Sequence, residues 1–411
     1  MEKYDIAIIG GGASGLAAAI SAQTAKTCRV VILERQPRVG KKLLATGNGR
    51  CNILNSLACP DSYFGSKALV KPALSAFTYA EALRFFKTAG LEIVRQENGC
   101  CYPMSNQAAS VLDCLRLTNH ALGAKEITEF DVSRINREKG GFILCSSNGE
   151  SIYAKRVIIA AGSMAQPKLG GGGFFKTLLQ PLGHTFTPCL PALSQIKTAP
   201  EDITGLKGQK YQGKIALYDG ETEIASETGE ILFTENGVSG IAAMQLTLHA
   251  TSLIQKKHRL SVSMAPLSMT AHEASEYISK RAHSLSDRTL EDFLTGVLAK
   301  RIGQLLLKRA GIQPLSRSVS SLTSREIQAL ARYLTDWRVP VTGLGGFDSA
   351  QVMLGGVKAN EFIPETLESR LVKGVYACGE LMDVTGPCGG YNLTWAWASG
   401  ILAGRSAAES I

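Results

Sequence analysis

The sequence contains ten cysteines in 411 residues but no Cys-x-x-Cys pair, and only Cys100 and Cys101 are adjacent. This spacing excludes a disulfide framework and a zinc-ribbon site, and fits a chain kept in a reducing cytoplasm. The six histidines, His120, His184, His249, His258, His272 and His283, are scattered. None belongs to a His-Glu-x-x-His motif or a Cys/His cluster, so no metal site is expected. There is no Gly-x-Ser-x-Gly, which excludes the nucleophile elbow of the α/β-hydrolases. The one charge-free run with membrane-like spacing, residues 6 to 25 with Gly11 and Gly15, is interrupted by three successive glycines and carries Ser21, Gln23 and Thr24. With Glu2 and Asp5 before it and no cleavage site after it, it reads as neither a spanning helix nor a secretion signal, and a soluble protein is expected.

The composition is 45% hydrophobic and 19% charged, enough for a large core and two or three domains. The net charge of +9 is unevenly spread, since residues 256 to 338 hold 14 Lys/Arg against 7 Asp/Glu. Such an excess can attract an anionic partner, although surface helices alone account for it.

The chain opens with a strand, a glycine turn and a small-residue helix in YDIAIIGGGASGLAAAISAQ. Gly10, Gly12 and Gly15 fill a Gly-x-Gly-x-x-Gly frame in the context that gives the motif meaning. Gly10 makes the tight turn, Gly12 lets backbone approach a pyrophosphate at the helix N-terminus, and Gly15 lets helix and strand pack closely. A second strand, Arg29 to Leu33, ends in Glu34, placed to accept hydrogen bonds from a ribose. Dinucleotide binding follows, and FAD and NAD share this cradle. A second glycine loop, RVGKKLLATGNGRCNILN, offers bare backbone N–H groups between Gly47 and Gly49, with Lys42 and Arg50 as cations, and suits another part of an extended ligand. No second frame serves NAD(P)H, since Gly343-Leu344-Gly345-Gly346 does not fit it.

Seven segments together resemble the bacterial aminoacetone-oxidase-like and bile-acid-reductase-like flavoproteins of the glutathione-reductase-type FAD-binding class. They are GGGASGL at 10 to 16, KKLLATGNGRCNILN at 41 to 55, VIIAAGS at 157 to 163, LGHTFTPCLPAL at 182 to 193, GEILFTENGVSG at 229 to 240, TLESRLVKGVYACGELMDVTG at 366 to 386, and GPCGGYNLTWAWASG at 386 to 400. The resemblance covers nearly the whole chain. It implies FAD contacts from the first motif and its strand at Gly10, Gly12, Ala13, Ser14, Gly15, Glu34 and Arg35. The second loop adds Lys42, Asn48, Gly49, Arg50, Cys51 and Asn52, and the middle of the chain adds Val132, Ala161 and Gly162. The C-terminal motifs add Gly379, Glu380, Asp383, Gly389, Gly390, Tyr391 and Asn392. Three positions depart from the family pattern: Cys100 stands where an arginine is usual, Ile241 where a proline is, and Leu367 where a methionine is.

The expected fold is α/β, a Rossmann-like FAD domain split into residues 1–190 and 340–411. The insertion divides into a small β-barrel at 191–265, suggested by alternation in KIALYDG, EIASE and HRLSVSM, and a helical subdomain at 266–339. Capping-box signals place helix starts at Thr270, Thr289 and Thr323, and the middle helix is expected to present Leu290, Phe293, Leu294, Val297, Leu298, Ile302, Leu305 and Leu306 on one face. No acid, base or nucleophile stands out. His184 is expected to be structural, and Cys51 and Cys388 to be packed residues rather than a redox pair. In a flavoenzyme the cofactor carries the chemistry. The expected activity is hydride exchange between flavin and a small organic substrate held between FAD domain and insertion, with NAD(P)H docking transiently or oxygen reoxidising the flavin. Neither nucleic acid nor membrane is expected as a partner, and the oligomeric state is left open. The alternative, a flavoprotein binding or modifying nucleic acid, rests on the basic stretch, where Tyr277, Phe293, Tyr333 and Trp337 are too sparse for stacking platforms. In the last motif, the glycines are expected to let backbone lie against the flavin ring, with a helix beginning near Asn392.

Overall fold

The computed structural model describes all 411 residues and divides into two compact units, Met1–Pro191 with Gln351–Ile411, and Ala192–Ala350. The first unit is built on parallel strands. Strand β1 (Glu2–Ile9) lies between β2 (Val30–Leu33) and the strand Ser151–Ile159, and Lys125–Ile127 extends the sheet beyond β2. The long strand Ser151–Ile159 has two partners on its other side: antiparallel Gly141–Ser146 along its first half and parallel Val375–Ala377 along its second. Because residues 6 to 9 of β1 and all of β2 are buried on both faces, they are continuous apolar runs rather than alternating ones.

Register determines where the motifs meet. Ile9 pairs with both Leu33 and Ile159, and Ile159 with Ala377, so four carboxyl ends are level. The residues that follow them, Gly10, Glu34, Ala160 to Gly162, and Cys378 to Gly379, therefore converge at one edge of the sheet, where ligands of open α/β sheets bind.

Helix α1 (Ala13–Ala25) packs against β1 on one side and the C-terminal helix Tyr391–Glu409 on the other. Its small residues make this possible. A Cβ added at Gly15 would lie 1.9 Å from the Gly10 carbonyl oxygen. On the facing helix, a Cβ at Gly400 would lie 2.3 Å from the Ser14 oxygen, and one at Gly404 2.2 Å from the Ala18 oxygen.

The second unit holds a seven-stranded antiparallel sheet. Its path ends at Trp337–Pro340 and Gly343–Leu344, which are consecutive in the chain and pair with Leu260–Ala265 and Ile196–Lys197 respectively. Between them, Val341 N donates to Leu260 O and Thr342 N to Lys197 O, both at 2.9 Å. One bent segment thus pairs with both ends of the sheet and closes it.

Three expectations are corrected here. The return to the first unit, expected near residue 340, falls at 350/351, because Gly343–Leu344 belongs to the barrel. The barrel and helices expected as separate pieces share one core, in which Ile215, Phe233 and Val262 join Ile278, Leu306 and Leu330. The capping boxes at Thr270 and Thr323 form, but the helix expected from Thr289 does not. Leu290–Asp292 is a single 3-10 turn, Gly296 turns the chain at φ 88°, and the helix begins only at Lys300. Leu290, Phe293, Leu294, Ile302 and Leu306 are still buried, whereas Val297, Leu298 and Leu305 are only partly so, and most of the expected burial survives without helical periodicity.

The tight packing of α1 on the C-terminal helix yields a test. Gly404→Ala should destabilise the protein by about 1–3 kcal/mol, as overpacking against rigid backbone does. The shift of the denaturant midpoint, at unchanged slope, measures it.

Candidate cofactor site

The glycine frame divides its labour as its spacing predicts. Gly10 turns at φ 109°, and a Cβ there would lie 2.4 Å from the Ala160 oxygen. Gly15 is required by the Gly10 carbonyl. Around Gly12, in contrast, a Cβ would meet no protein atom within 4 Å. It stands before α1 without a side-chain cap, so the first-turn N–H groups of that helix are free to receive an anionic ligand. Ala13 and Ser14 form this first turn, and Ser14 packs against Gly379, where a Cβ would lie 2.5 Å from its hydroxyl.

Glu34 is held in place by backbone: Gly11 N donates to its Oε2 at 2.9 Å and Gln36 N to its Oε1 at 2.8 Å. A carboxylate fixed by two amides retains lone pairs for a ribose hydroxyl. Phe130 N bonds Glu34 O at 3.0 Å, which brings the strand beginning at Val132 beside it. Ala161 lies against the Gly10 turn, and Gly162, at φ 70°, faces open space. Arg35 points away from Glu34. Its guanidinium donates to the Gly170 and Gly171 carbonyls, each at 2.6 Å, and lies over the Phe174 ring.

In the second loop Gly47, Asn48, Gly49 and Cys51 all take positive φ, and a Cβ at Gly49 would meet nothing. The cations expected there are engaged. Lys42 bonds Glu380 at 2.7 Å, joined by Ser163 Oγ at 3.2 Å, and Arg50 lies 4.9 Å over the Tyr102 ring. Cys51 is fully buried, and burial pushes its thiol up to about 11, so it is a packed thiol and not a ready nucleophile. Asn52 accepts from Cys101 N at 3.3 Å. Asp383 bonds Thr187 Oγ1 at 3.1 Å, and burial raises its carboxyl above the usual range.

At the C-terminal motif the expectation needs correction. A Cβ at Gly390 would lie 2.6 Å from the Leu54 carbonyl, and one at Gly386 2.6 Å from the Tyr391 Cβ. These glycines are demanded by neighbouring protein, whereas Gly389, at φ 109°, is approached no closer than 3.5 Å, by Cys100 Sγ. The helix starts at Tyr391, close to where it is expected, and Gly390 offers no side-chain cap. Asn392 is a clamp on the preceding loop: its Oδ1 accepts from Gly386 N at 2.8 Å and its Nδ2 donates to the Gly386 and Pro387 carbonyls at 2.8 and 3.1 Å. Asn55, which the residue-by-residue reading passed over, ties the two loops together by donating from Nδ2 to Gly389 O at 2.8 Å.

His184 is structural. Its ring bonds Glu361 at 2.7 Å and Ser369 at 2.9 Å and stacks on Phe362. Burial pulls its pKa down. Burial also pushes Glu361 up, but hydrogen bonds from Thr185 and the contact with His184 outweigh this and hold it low. No group of three or more His, Cys, Asp or Glu side chains could hold a metal, and no helix is long and apolar enough to cross a membrane.

The fold and this cradle define a Rossmann-type dinucleotide-binding protein. Residues 4–406 match the family described as HI0933-like protein Rossmann domain, and the chain belongs to that family. It is 38% identical over 408 residues to the 3-dehydro-bile acid delta(4,6)-reductase of Clostridium scindens, covering 98% of this chain and 99% of the relative. It is 30% identical over 404 residues to the ribosomal RNA dihydrouridine synthase of Escherichia coli, covering 97% and 96%. Among solved structures, the 3-ketosteroid delta1-dehydrogenase of Sterolibacterium denitrificans aligns over 100% of both chains with a TM-score of 0.52 at 12% identity. The 3-ketosteroid-delta4-(5alpha)-dehydrogenase of Rhodococcus jostii aligns over 99% of this chain and 97% of its own with a TM-score of 0.50 at 15% identity.

The asymmetry between Gly12 and Gly15 is testable. Gly12→Val, which meets no protein atom, should give folded protein without bound flavin, while Gly15→Val should disrupt the fold itself. Flavin content after purification, read beside the far-ultraviolet circular dichroism, separates the two. Retention of flavin by Gly12→Val would move the pyrophosphate elsewhere.

Proposed function

We propose that this protein is an FAD-dependent reductase that saturates a carbon–carbon double bond conjugated to a carbonyl group in a small organic substrate, with NAD(P)H as a transiently docked reductant. The observation that carries this reading is the full-length similarity, at 38% identity, to a 3-dehydro-bile acid delta(4,6)-reductase. The two kinds of curated relative share one bond chemistry. A 3-oxo compound with delta(4,6) unsaturation is a conjugated dienone, and the uracil double bond lost in dihydrouridine is conjugated to a ring carbonyl. Bound FAD would supply the hydride for such a reduction.

The chain's own residues hold and bias that cofactor. The α1 N-terminus beyond Gly12 takes the pyrophosphate, and Glu34 takes the ribose. The uncapped start of the C-terminal helix presents N–H groups with about half a positive charge, which favours an anionic form of whatever group is bound there. Lys42 and Glu380 neutralise each other at 2.7 Å, so neither adds an isolated charge.

A second reading, reduction of a base in RNA, is favoured by the similarity to ribosomal RNA dihydrouridine synthases and by the basic stretch. Two facts place it second. The second unit as a whole has 18 basic and 16 acidic residues, because the strand Thr222–Thr234 brings in several glutamates. Of the 14 basic residues from 256 to 338, Lys300, Arg309, Arg317 and Arg338 are ion-paired.

Anaerobic titration with NADH and NADPH should bleach the flavin, and a 3-oxo-delta(4,6) bile acid added without oxygen should restore the oxidised spectrum in stoichiometric amount. Reduced flavin that only oxygen reoxidises would make the protein an oxidase instead. Salt-sensitive binding of ribosomal RNA, with no reoxidation by the bile acid, would reverse the order of the two readings.

A further inference from the structure

Within the first unit lies a cavity of about 540 Å³ that the cofactor motifs do not use. Its size falls in the range of about 300–1,000 Å³ typical of small-molecule sites. One wall is the start of the helix Lys67–Ala76, with Ala68 and Leu69, and the other carries Phe362 and Pro364. Lys358 and Arg370 stand at this apolar cavity, and neither forms an ion pair. The carboxylate nearest Lys358 along the chain, Glu361, is engaged with His184 and Thr185, and the one nearest Arg370, Glu368, accepts from Gly374 N at 2.8 Å. The cavity thus combines a mainly apolar lining with two cations outside any ion pair.

The cations are held by buried structure. Glu361 and Ser369 are the two side chains bonded to the buried His184 ring, and Arg370 follows Ser369 directly. Lys358 N bonds Thr185 O at 3.0 Å, and Arg370 Nε donates to Phe362 O at 3.1 Å. His184 is therefore a positioning residue for the segment bearing both charges. The cavity also adjoins the cofactor motif. Its lining residue Ser66 donates from N to Asp383 O at 2.8 Å, and its lining residue Thr187 bonds Asp383 Oδ2 at 3.1 Å.

We propose that this cavity binds an organic carboxylate with a rigid apolar body, seating the body on Ala68, Ala359 and Pro364, which the buried Leu69 and Phe362 support from beneath, and the carboxylate between Lys358 and Arg370. The proposal rests on the small-molecule reading above, and it assigns the substrate's acid end to a site that reading left open. A neutral enone would not use the two cations in this way.

The test uses the FAD-loaded full chain and calorimetric titration with two probes, cholate below its micelle concentration and its uncharged methyl ester. Lys358→Ala/Arg370→Gln should bind cholate about tenfold or more weakly than the native protein, as loss of charge-assisted hydrogen bonds implies, and bind the ester equally well. Ala68→Trp, at the exposed start of its helix, should fill the cavity and weaken both probes. Unchanged flavin spectra and melting temperatures show that the variants are folded. Cholate that binds native protein and the double variant alike, or that does not bind saturably at all, overturns the proposal. The two readings fail separately. If the cations matter for cholate but no conjugated bile acid is reduced, the site stands and the reductase assignment falls. If reduction proceeds with a KM unaffected by the double variant, the reverse holds.

Discussion

The structure depends on how closely backbone can approach backbone around one helix. Helix α1 touches the turn at Gly10 through Gly15, and it touches the C-terminal helix where Gly400 and Gly404 face the carbonyls of Ser14 and Ala18. Any side chain at these positions would separate layers whose spacing places the helix N-terminus at the sheet edge. The same helix then offers its first N–H groups to open space at Gly12. The C-terminal helix carries the constraint onward, since Trp395 Nε1 donates to Gly379 O at 3.0 Å, Ser399 Oγ accepts from Gly379 N at 3.0 Å and Trp397 Nε1 donates to Ile53 O at 2.8 Å. The last residues of the chain thereby hold both the second glycine loop and the end of the strand Val375–Ala377 against the first motif.

With the scaffold so constrained, charge near the cradle is largely cancelled. Lys42 meets Glu380, Arg35 is spent on carbonyls and an aromatic ring, and Arg50 lies over Tyr102. What remains for a dinucleotide is oriented amides and a fixed carboxylate, which cost no reorganisation when the ligand arrives. Buried thiols fit the same picture: burial raises Cys51 to about 11 and Cys378 to about 12, so neither competes with the cofactor for redox chemistry.

The first motif was legible in the sequence because its glycines act within one strand–turn–helix unit, where spacing alone dictates the contacts. Glu34 was legible for the same reason. The glycines at 386 to 390 were legible as close approaches but not as to what approaches them, since Leu54 and Tyr63 come from more than 300 residues away in the chain. The helix start near Asn392 was legible, whereas the clamp of Asn392 on Gly386 was not, because it is a tertiary fact. The failed helix at Thr289 shows the limit of periodicity: burial of Leu290, Phe293 and Leu294 fixes which residues face the core, and Gly296 shows that a turn can achieve it. The split of the first unit was visible from motif order, whereas its second boundary needed the pairing of Gly343–Leu344 with Ile196–Lys197.

One departure from the family pattern has a structural consequence. Leu367 is completely buried and sits at φ 58°, a conformation that costs a non-glycine residue on the order of 1 kcal/mol or more. It is kept there by a local hydrogen-bonded turn, Leu367 N to Ile363 O at 2.7 Å and Ile363 N to Glu368 O at 2.9 Å, and by Ala377 N bonding its carbonyl at 3.2 Å. Strain persists only where surroundings over-determine it, and here they do: the turn lies between Glu361 and Ser369, the two side chains fixed on His184. The strained residue is thus not at the dinucleotide cradle but within the segment that carries Lys358, Phe362 and Arg370. A chain that only needed to connect the barrel to the strand Val375–Ala377 could do so with relaxed backbone. A segment whose shape is enforced by a buried imidazole, the carboxylate bonded to it and a strained turn is one whose side chains have a geometry to keep.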